Sequence, residues 1–489
     1  MTALVLGIDS STQSTKVELR DAETGELRAT GRGSHPPTMP PLSEQDPSSW
    51  WDALREAVGQ LGDARADVVA LSVAGQQHGL VLVDSAGSVL RPAKLWNDTT
   101  SAPQADELVR SVGPDWWAEW AGVVPVAAIT ISKLAWVFEN EPHLVDQIDK
   151  IMLPHDWLTW RLTGAHVTDR GDASGTGWFN AESGATLVEP FFRAGLPDPD
   201  EWVNRVPKVL APTEAAGTIV PEAADELGLP HDVVVGPGTG DNMAAALGLG
   251  LEEGDVVMSL GTSGTVYART SRRAFDASGA VAGFSDATGN YLPLVCTLNA
   301  TKVTDTVAEW LGTDAAGLST LALDAGVSPI EPVLVPYFDG ERTPNRPAAR
   351  GVFVGLSTAT SRQDIARAAH DGVICGLLTG LDALEATGAA LSGRLILVGG
   401  GAKSPAYRQR LADIANRPVL VPTTDETVTT GAAVQAAAVA GHGSFEALAA
   451  SWDLQSGTWT EPTAGSAGEL VRQRYRAAAG FDDSLCSAL

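Results

Sequence analysis

Asp241 stands where two local patterns meet. Before it runs Val233-Val-Val-Gly-Pro-Gly-Thr-Gly240, an apolar run ending in alternating glycines, and after it runs Asn242-Met-Ala-Ala-Ala-Leu, a helix-forming stretch. A strand that turns into a helix here puts a carboxylate at the helix N-terminus, where it can cap backbone N–H groups. Capping alone accounts for an Asp, but it needs little backbone freedom, whereas Gly236, Gly238 and Gly240 supply a great deal. A carboxylate in such a place can also take a proton from a hydroxyl.

Three other short segments suit a polyphosphate. Asp9-Ser-Ser-Thr12, Gly261-Thr-Ser-Gly264 and Gly399-Gly-Gly-Ala402 each follow an apolar run that reads as a strand. Turns of this composition expose backbone N–H groups and hydroxyls without side-chain obstruction, which is what phosphate oxygens need. Any one of them is equally an ordinary hairpin or helix-entry turn; three together point to phosphate. Asp9 ends its strand beside the first turn, where an acid caps the turn or holds a Mg²⁺-bound water.

No Gly-x-x-x-x-Gly-Lys-Ser/Thr occurs, so the phosphate cradle is not a P-loop. Gly248-Leu-Gly250 follows an Ala-rich helical run, not a strand, and reads as a helix end and not a dinucleotide fingerprint. Gly75-Gln-Gln-His-Gly79 lies at the end of a strand, where Gln77 and His78 can reach a ligand. Trp96-Asn-Asp98 combines an aromatic face with an amide and a carboxylate, the materials of a sugar site. Gly340-Glu-Arg-Thr-Pro344 reads as a charged turn, a surface salt bridge being its plainest use.

The elements that must position these residues alternate. Leu4 to Ile8, Lys16 to Leu19 and Glu26 to Ala29 read as a β-meander, and Asp46-Pro47 opens an amphipathic helix with Trp50, Leu54, Val58 and Leu61 on one face. Val68 to Val73 and Val233 to Val235 read as strands, Ile131 to Glu139 and Ile148 to Leu162 as helices. Gly254 to Ala268 reads as a β-hairpin around Gly-Thr-Ser-Gly, much as Leu4 to Thr15 does at the start of the chain. Helices at 362–386 and 406–415, a strand at 395–398 and an Ala-rich helix near 432–440 fill out the second half. This is an α/β fold in which two halves begin alike, 1–245 and 246–489, with a ligand expected between them.

Composition sets the outer limits. A chain of 489 residues, 44% hydrophobic, can bury a sizeable core, and its length favours two or three domains over one. Sixty acidic against 33 basic residues give a net charge of −27, which disfavours a nucleic-acid or anionic-membrane partner. Cys296, Cys375 and Cys486 are too few and too scattered for a disulfide framework, which fits a reducing, cytoplasmic setting. The first residues look like an opening strand and not a leader peptide. The most apolar stretch elsewhere, 121–131, is broken by Pro125 and shorter than the ~20 residues of a membrane span.

Two further segments carry a family resemblance. Thr130-Ile-Ser-Lys133-Leu-Ala-Trp136-Val-Phe-Glu-Asn140 resembles the first signature of the FGGY carbohydrate kinases, and Gly351-Val-Phe353-Val-Gly355-Leu356, continued through Asp364-Ile365, Ala368 and Asp371, resembles the second. Within that family, Ser43 to Pro47, Gly75 to Gly79, Trp96 to Asp98 and Gly340 to Pro344 most resemble the branch acting on D-xylulose. Ser11, Gln13, Thr100, Ala128 and His370 depart from the family pattern.

The resemblance implies two actin-like, ribonuclease H-like ATPase domains with the active site in the cleft, and ATP-dependent phosphorylation of a small-molecule sugar. It implies Asp241 as catalytic base, with Asp9 supporting Mg²⁺ through water. Gln77, His78, Trp96, Asp98 and Asn242 would face the sugar. Thr12, Lys16, Gly261, Thr262 and Ser263 would face the phosphates, and Gly400, Gly401 and Ala402 the nucleotide. A homodimer is compatible with this scheme. L-Ribulose, gluconate or glycerol as acceptor, and an actin-like ATP switch without sugar chemistry, stay open at this point.

Overall fold

The computed structural model describes residues 3–326 and 331–486, with side chains as far as Gly480. Cys486 therefore lies outside the described side chains. The chain forms two compact units, the first made of Met1–Leu251, Ser271–Leu292 and Glu426–Gln455, the second of Glu252–Thr270, Pro293–Asp425 and Ser456–Leu489.

In the first unit the strand Leu4–Ser10 is central. It pairs antiparallel with Ser14–Asp21, which pairs antiparallel with Leu27–Ser34. On its other side it runs parallel to Val68–Gly75, then come Val234–Val235, also parallel, and antiparallel Gly217–Thr218. Alternation along the central strand divides the core. Leu4, Leu6 and Ile8 pack with Trp50, Leu54 and Val58 of the helix Pro47–Gly59, while Val5 packs with Ala433, Ala436 and Ala437 of the helix Thr427–Val439. The helix Pro47–Gly59 starts as its sequence dictates: Asp46 accepts from the Ser48 N–H at 2.9 Å, and Pro47 occupies the first turn.

The helix Thr427–Val439, read from sequence with the second half, belongs to the first unit. It is made of small residues because it touches backbone. A Cβ on Gly7 would come within 2.1 Å of the Thr429 carbonyl oxygen, and one on Gly431 within 1.8 Å of the Ala244 carbonyl oxygen. The second contact fixes the helix Asp241–Gly248, whose own Gly248 lies equally close to Thr427.

The second unit repeats the sheet. Val256–Leu260 pairs antiparallel with Gly264–Ala268, which pairs antiparallel with Leu294–Thr297. Its other side runs parallel to Leu395–Val398, then Val419–Pro422, with antiparallel Gly457–Thr460 at the end. Order and directions match those of the first unit, so the duplication seen in two hairpin sequences extends to both sheets.

One expected element is corrected. The stretch Ile148 to Leu162 is not a single helix: Lys150–Met152 is a strand paired with Val81–Val83, and the helix is Pro154–Thr163. Pro154 disfavours helical backbone at Leu153 and starts the helix behind it.

Candidate active site

Three strand ends meet at one edge of the first sheet. Gly75 is paired on one side with Ser10 and on the other with Gly240. At a spacing of about 4.8 Å between strands, the chain enters Asp241 roughly 10 Å from where it leaves Asp9. Asp241 is the first residue of its helix, Gly240 standing at the cap position without a side-chain cap bond. Oδ1 accepts from the Asn242 N–H at 2.8 Å and from Asn242 Nδ2 at 2.9 Å, and the same Nδ2 donates to Gln77 Oε1 at 2.6 Å. Gln77 fills the space beside Gly240, where a Cβ would lie 2.7 Å from Gln77 Cγ. That contact is one reason the glycine is needed.

The electrostatics of this edge are unusual. Burial, aided by the charge of Asp172 and opposed by the Asn242 hydrogen bonds, pushes the Asp241 carboxyl up to about 7. Burial and the charge of Asp241 push Asp9 up to about 7 as well, with Lys16 opposing. Asp9 is 5% exposed and its Oδ1 accepts no hydrogen bond.

The other expected residues sort into two groups. Thr12 is close to the sugar-type aromatic: Trp96 Nε1 donates to Thr12 Oγ1 at 2.9 Å, which donates to Gln76 Oε1 at 3.0 Å. Gln45 ties the turn down by donating to the Thr12 carbonyl at 2.9 Å while accepting from Trp50 Nε1. Trp96 keeps 43% of its surface exposed. Lys16 and Asp98, by contrast, are already paired. The Lys16 ammonium lies 2.6 Å from Glu426, and the fully buried Asp98 accepts from Ser43 N, Thr100 N, Thr100 Oγ1 and Lys94 Nζ. Thr100, off the family pattern, is thus part of the network that holds Asp98.

In the second unit the two glycine turns are neighbours, because each follows one of two adjacent parallel strands, Ser259 pairing with Val398. Thr262 and Ser263 are exposed in the hairpin loop, while Gly261 bonds back to Ser263 and accepts from Thr301 N. Gly399 has φ +86°, and its Cβ position is closed by the Leu260 carbonyl at 2.7 Å, so only glycine fits. Gly400 opens to free space, Gly401 and Ala402 are buried behind it. The Gly340 to Pro344 turn is not a surface salt bridge. Glu341 is 3% exposed and accepts from Leu298 N, Arg342 N and Asn299 Nδ2.

A buried polar cluster escaped the sequence. His155, Asp156, Asp169 and Asp172 lie together, with His155 Nε2 between 3.3 and 3.5 Å from one oxygen of each acid. Burial pushes Asp169 up to about 7 and Asp172 up to about 8, and drives His155 down to about 3. Lys133, from the first signature segment, is also completely buried and is pushed down to about 7 by burial. The available signal was Asp169-Arg-Gly-Asp172-Ala-Ser-Gly175, an acid- and glycine-rich stretch after a short strand.

Comparison with known proteins identifies the family. Residues 4–248 match the N-terminal domain of the FGGY family of carbohydrate kinases, and residues 256–440 its C-terminal domain. A xylulose kinase of Streptomyces coelicolor is 46% identical over 93% of this chain and 92% of its own. One of Escherichia coli K12 is 36% identical over 85% of each. The crystal structure of xylulose kinase from Bifidobacterium adolescentis superposes with a TM-score of 0.85 at 40% identity, covering 98% of this chain and 99% of that one. Two repeated sheets that each end in a phosphate-type turn, matched along nearly their whole length by carbohydrate kinases, leave one placement: the chain belongs to the FGGY family of carbohydrate kinases, on an actin-like ATPase fold.

Proposed function

We propose that this chain transfers the terminal phosphate of ATP to the 5-hydroxyl of D-xylulose. The observation that carries the chemistry is Asp241, a carboxylate at a helix N-terminus, raised to about 7 and held by Asn242 beside Gln77. The sugar is carried by the relatives, which are named xylulose kinases.

Asp241 accepts the proton of the attacking hydroxyl late in the transfer, since a loose phosphoryl-transfer transition state asks more of positioning than of covalent chemistry. Gln77, His78 and the exposed face of Trp96 orient the sugar, while Asn242 serves Asp241 from one side and Gln77 from the other. Asp98, saturated by its own partners, supports the Trp96 segment without reaching the sugar. Thr12, Gly261, Thr262 and Ser263 offer hydroxyl and N–H donors to the phosphates. Gly400, Gly401 and Ala402 flank the nucleotide. Lys16 reaches a phosphate by exchanging Glu426 for it.

Mg²⁺ fits the residues present. Asp9 Oδ1 is buried without a hydrogen bond, and a second acid raises its pKa. Among the described residues no three His, Cys, Asp or Glu side chains could hold a metal alone, which suits an ion held by phosphate and water. Asp9 would hold it through water, and the ion would neutralise charge on the phosphates.

A coupled ADP assay over D-xylulose, L-ribulose, gluconate and glycerol tests the acceptor. D-Xylulose should exceed the others in kcat/KM by about tenfold or more, the range that one pocket contact commands. A higher kcat/KM for any of the others overturns the acceptor assignment.

A further inference from the structure

His78 is held in one place by an unusual number of constraints. Its backbone is in the left-handed region, φ +63°, which is strained for a residue with a side chain. Its carbonyl accepts from Thr130 Oγ1 at 3.2 Å, and its ring packs on Phe284 at 5.0 Å between centroids. Gly175 leaves the ring its space: a Cβ there would sit 1.8 Å from His78 Cε1. Asp172 then addresses the residue twice through one oxygen. Its Oδ1 lies 3.3 Å from the His78 backbone N and 3.1 Å from ring Nδ1.

We propose that Asp172 is a positioning residue for sugar recognition, acting through His78 by fixing both its backbone and its ring. The Asp172 oxygen 3.1 Å from Nδ1 fixes which edge of the ring faces the carboxyl group. Asp172 is itself completely buried on the four-residue turn of helix Arg170–Ala173, anchored by Asp169, which accepts from the N–H groups of Gly171 and Asp172 at 2.8 and 3.0 Å. Asp169 is fixed in turn by Thr239 Oγ1 at 2.7 Å, two residues before Asp241. One chain of contacts therefore runs from the loop that carries the proposed base to the ring that orients the sugar.

The inference rests on His78 contacting the sugar, and a double-mutant cycle separates the two. His78→Ala alone should raise the KM for D-xylulose about tenfold, the loss of one good hydrogen bond, with the KM for ATP within about twofold. Asp172→Ala should do the same in the native background. In the His78→Ala background it should cost less in kcat/KM than in the native one, because the ring is gone while the backbone N–H at position 78 and the Gln77 side chain still meet Asp172. Gly175→Ala leaves Asp172 untouched and displaces the ring, so it should copy His78→Ala. If Asp172→Ala does not melt cooperatively, Asp172→Asn completes the cycle, since its amide oxygen can still accept from the His78 backbone N–H and partial rescue of the sugar KM is expected. Effects of Asp172 that multiply with those of His78, or that raise both KM values alike, overturn the inference alone. An unchanged sugar KM in His78→Ala overturns the sugar contact and the inference with it.

Discussion

Asn242 donates twice to Asp241, from its backbone N–H at 2.8 Å and from its side-chain amide at 2.9 Å, both onto Oδ1. Oδ2 is thereby the oxygen we propose for the substrate hydroxyl, and the carboxylate cannot rotate without losing both bonds. Asn242→Ala removes the amide from Asp241 and from Gln77 together. It should lower kcat by about tenfold, as expected when a base keeps its identity and loses its orientation. Steady-state kinetics against both substrates check this; an unchanged kcat would count against the orientation.

Asp241→Ala should lower turnover by about 10² or more while ATP binding stays near native. Calorimetric titration with ATP, beside the turnover assay, gives both numbers. Near-normal turnover would end its assignment as base.

A base must be ionised to act, and Asp241 is raised to about 7. At limiting Mg²⁺, kcat/KM for the sugar should fall about tenfold per pH unit below about pH 7. Added Mg²⁺ favours the ionised acids, so it should move this limb to lower pH. A limb that stays in place across a Mg²⁺ series would contradict the proposed ion site.

Asp9 makes the opposite demand on stability. Its folded pKa, about 7, stands above the unfolded value of 3.8, so the folded state binds more protons between those two values. The stability this proton provides is present in full below the unfolded pKa and is lost as pH rises through about 7. Asp9→Asn should therefore melt higher than the native protein at pH 8, by about 2 °C or more, with the difference shrinking toward pH 4. The same variant should lose about 10² in kcat through loss of metal support. Melting curves at the two pH values are sufficient; a lower melting temperature at pH 8 would show that the carboxylate stabilises the fold.

Gly431→Ala places a methyl group where the Ala244 carbonyl already lies at 1.8 Å. The two helices must separate, at a cost of about 1–3 kcal/mol. Because one of those helices begins with Asp241, kcat should fall with stability, and both should recover only when the crossing does. Denaturant unfolding with activity measured on the folded fraction distinguishes this from simple loss of protein.

Local signals were legible wherever the chain chose its own structure. The Asp46-Pro47 helix start, the strand at Leu395–Val398, the helix at Arg362–Ala386 and the Gly261 hairpin all lie where the sequence put them. What was not legible came from distant partners. No local pattern announces that Lys16 pairs with Glu426 or that Asp98 accepts from Ser43. Asp172 gives only the weak signal of an acid- and glycine-rich stretch, since its contact with His78 spans 94 residues. Composition showed that small residues dominate 432–440 but not that Gly7 and Gly248 were their counterparts.

That helix has a consequence for how the protein is made. The first unit owns the N-terminal sheet, yet the face around Gly7, Val5 and Ala70 is covered by Thr427–Val439 together with Leu448, Trp452 and Leu454, all late in the chain. A ribosome must therefore synthesise most of the second unit before the first can close. Until then the nascent chain carries an uncovered apolar sheet, a natural client for a chaperone, and a premature stop before residue 427 would leave a product unable to complete either its core or the seat of Asp241.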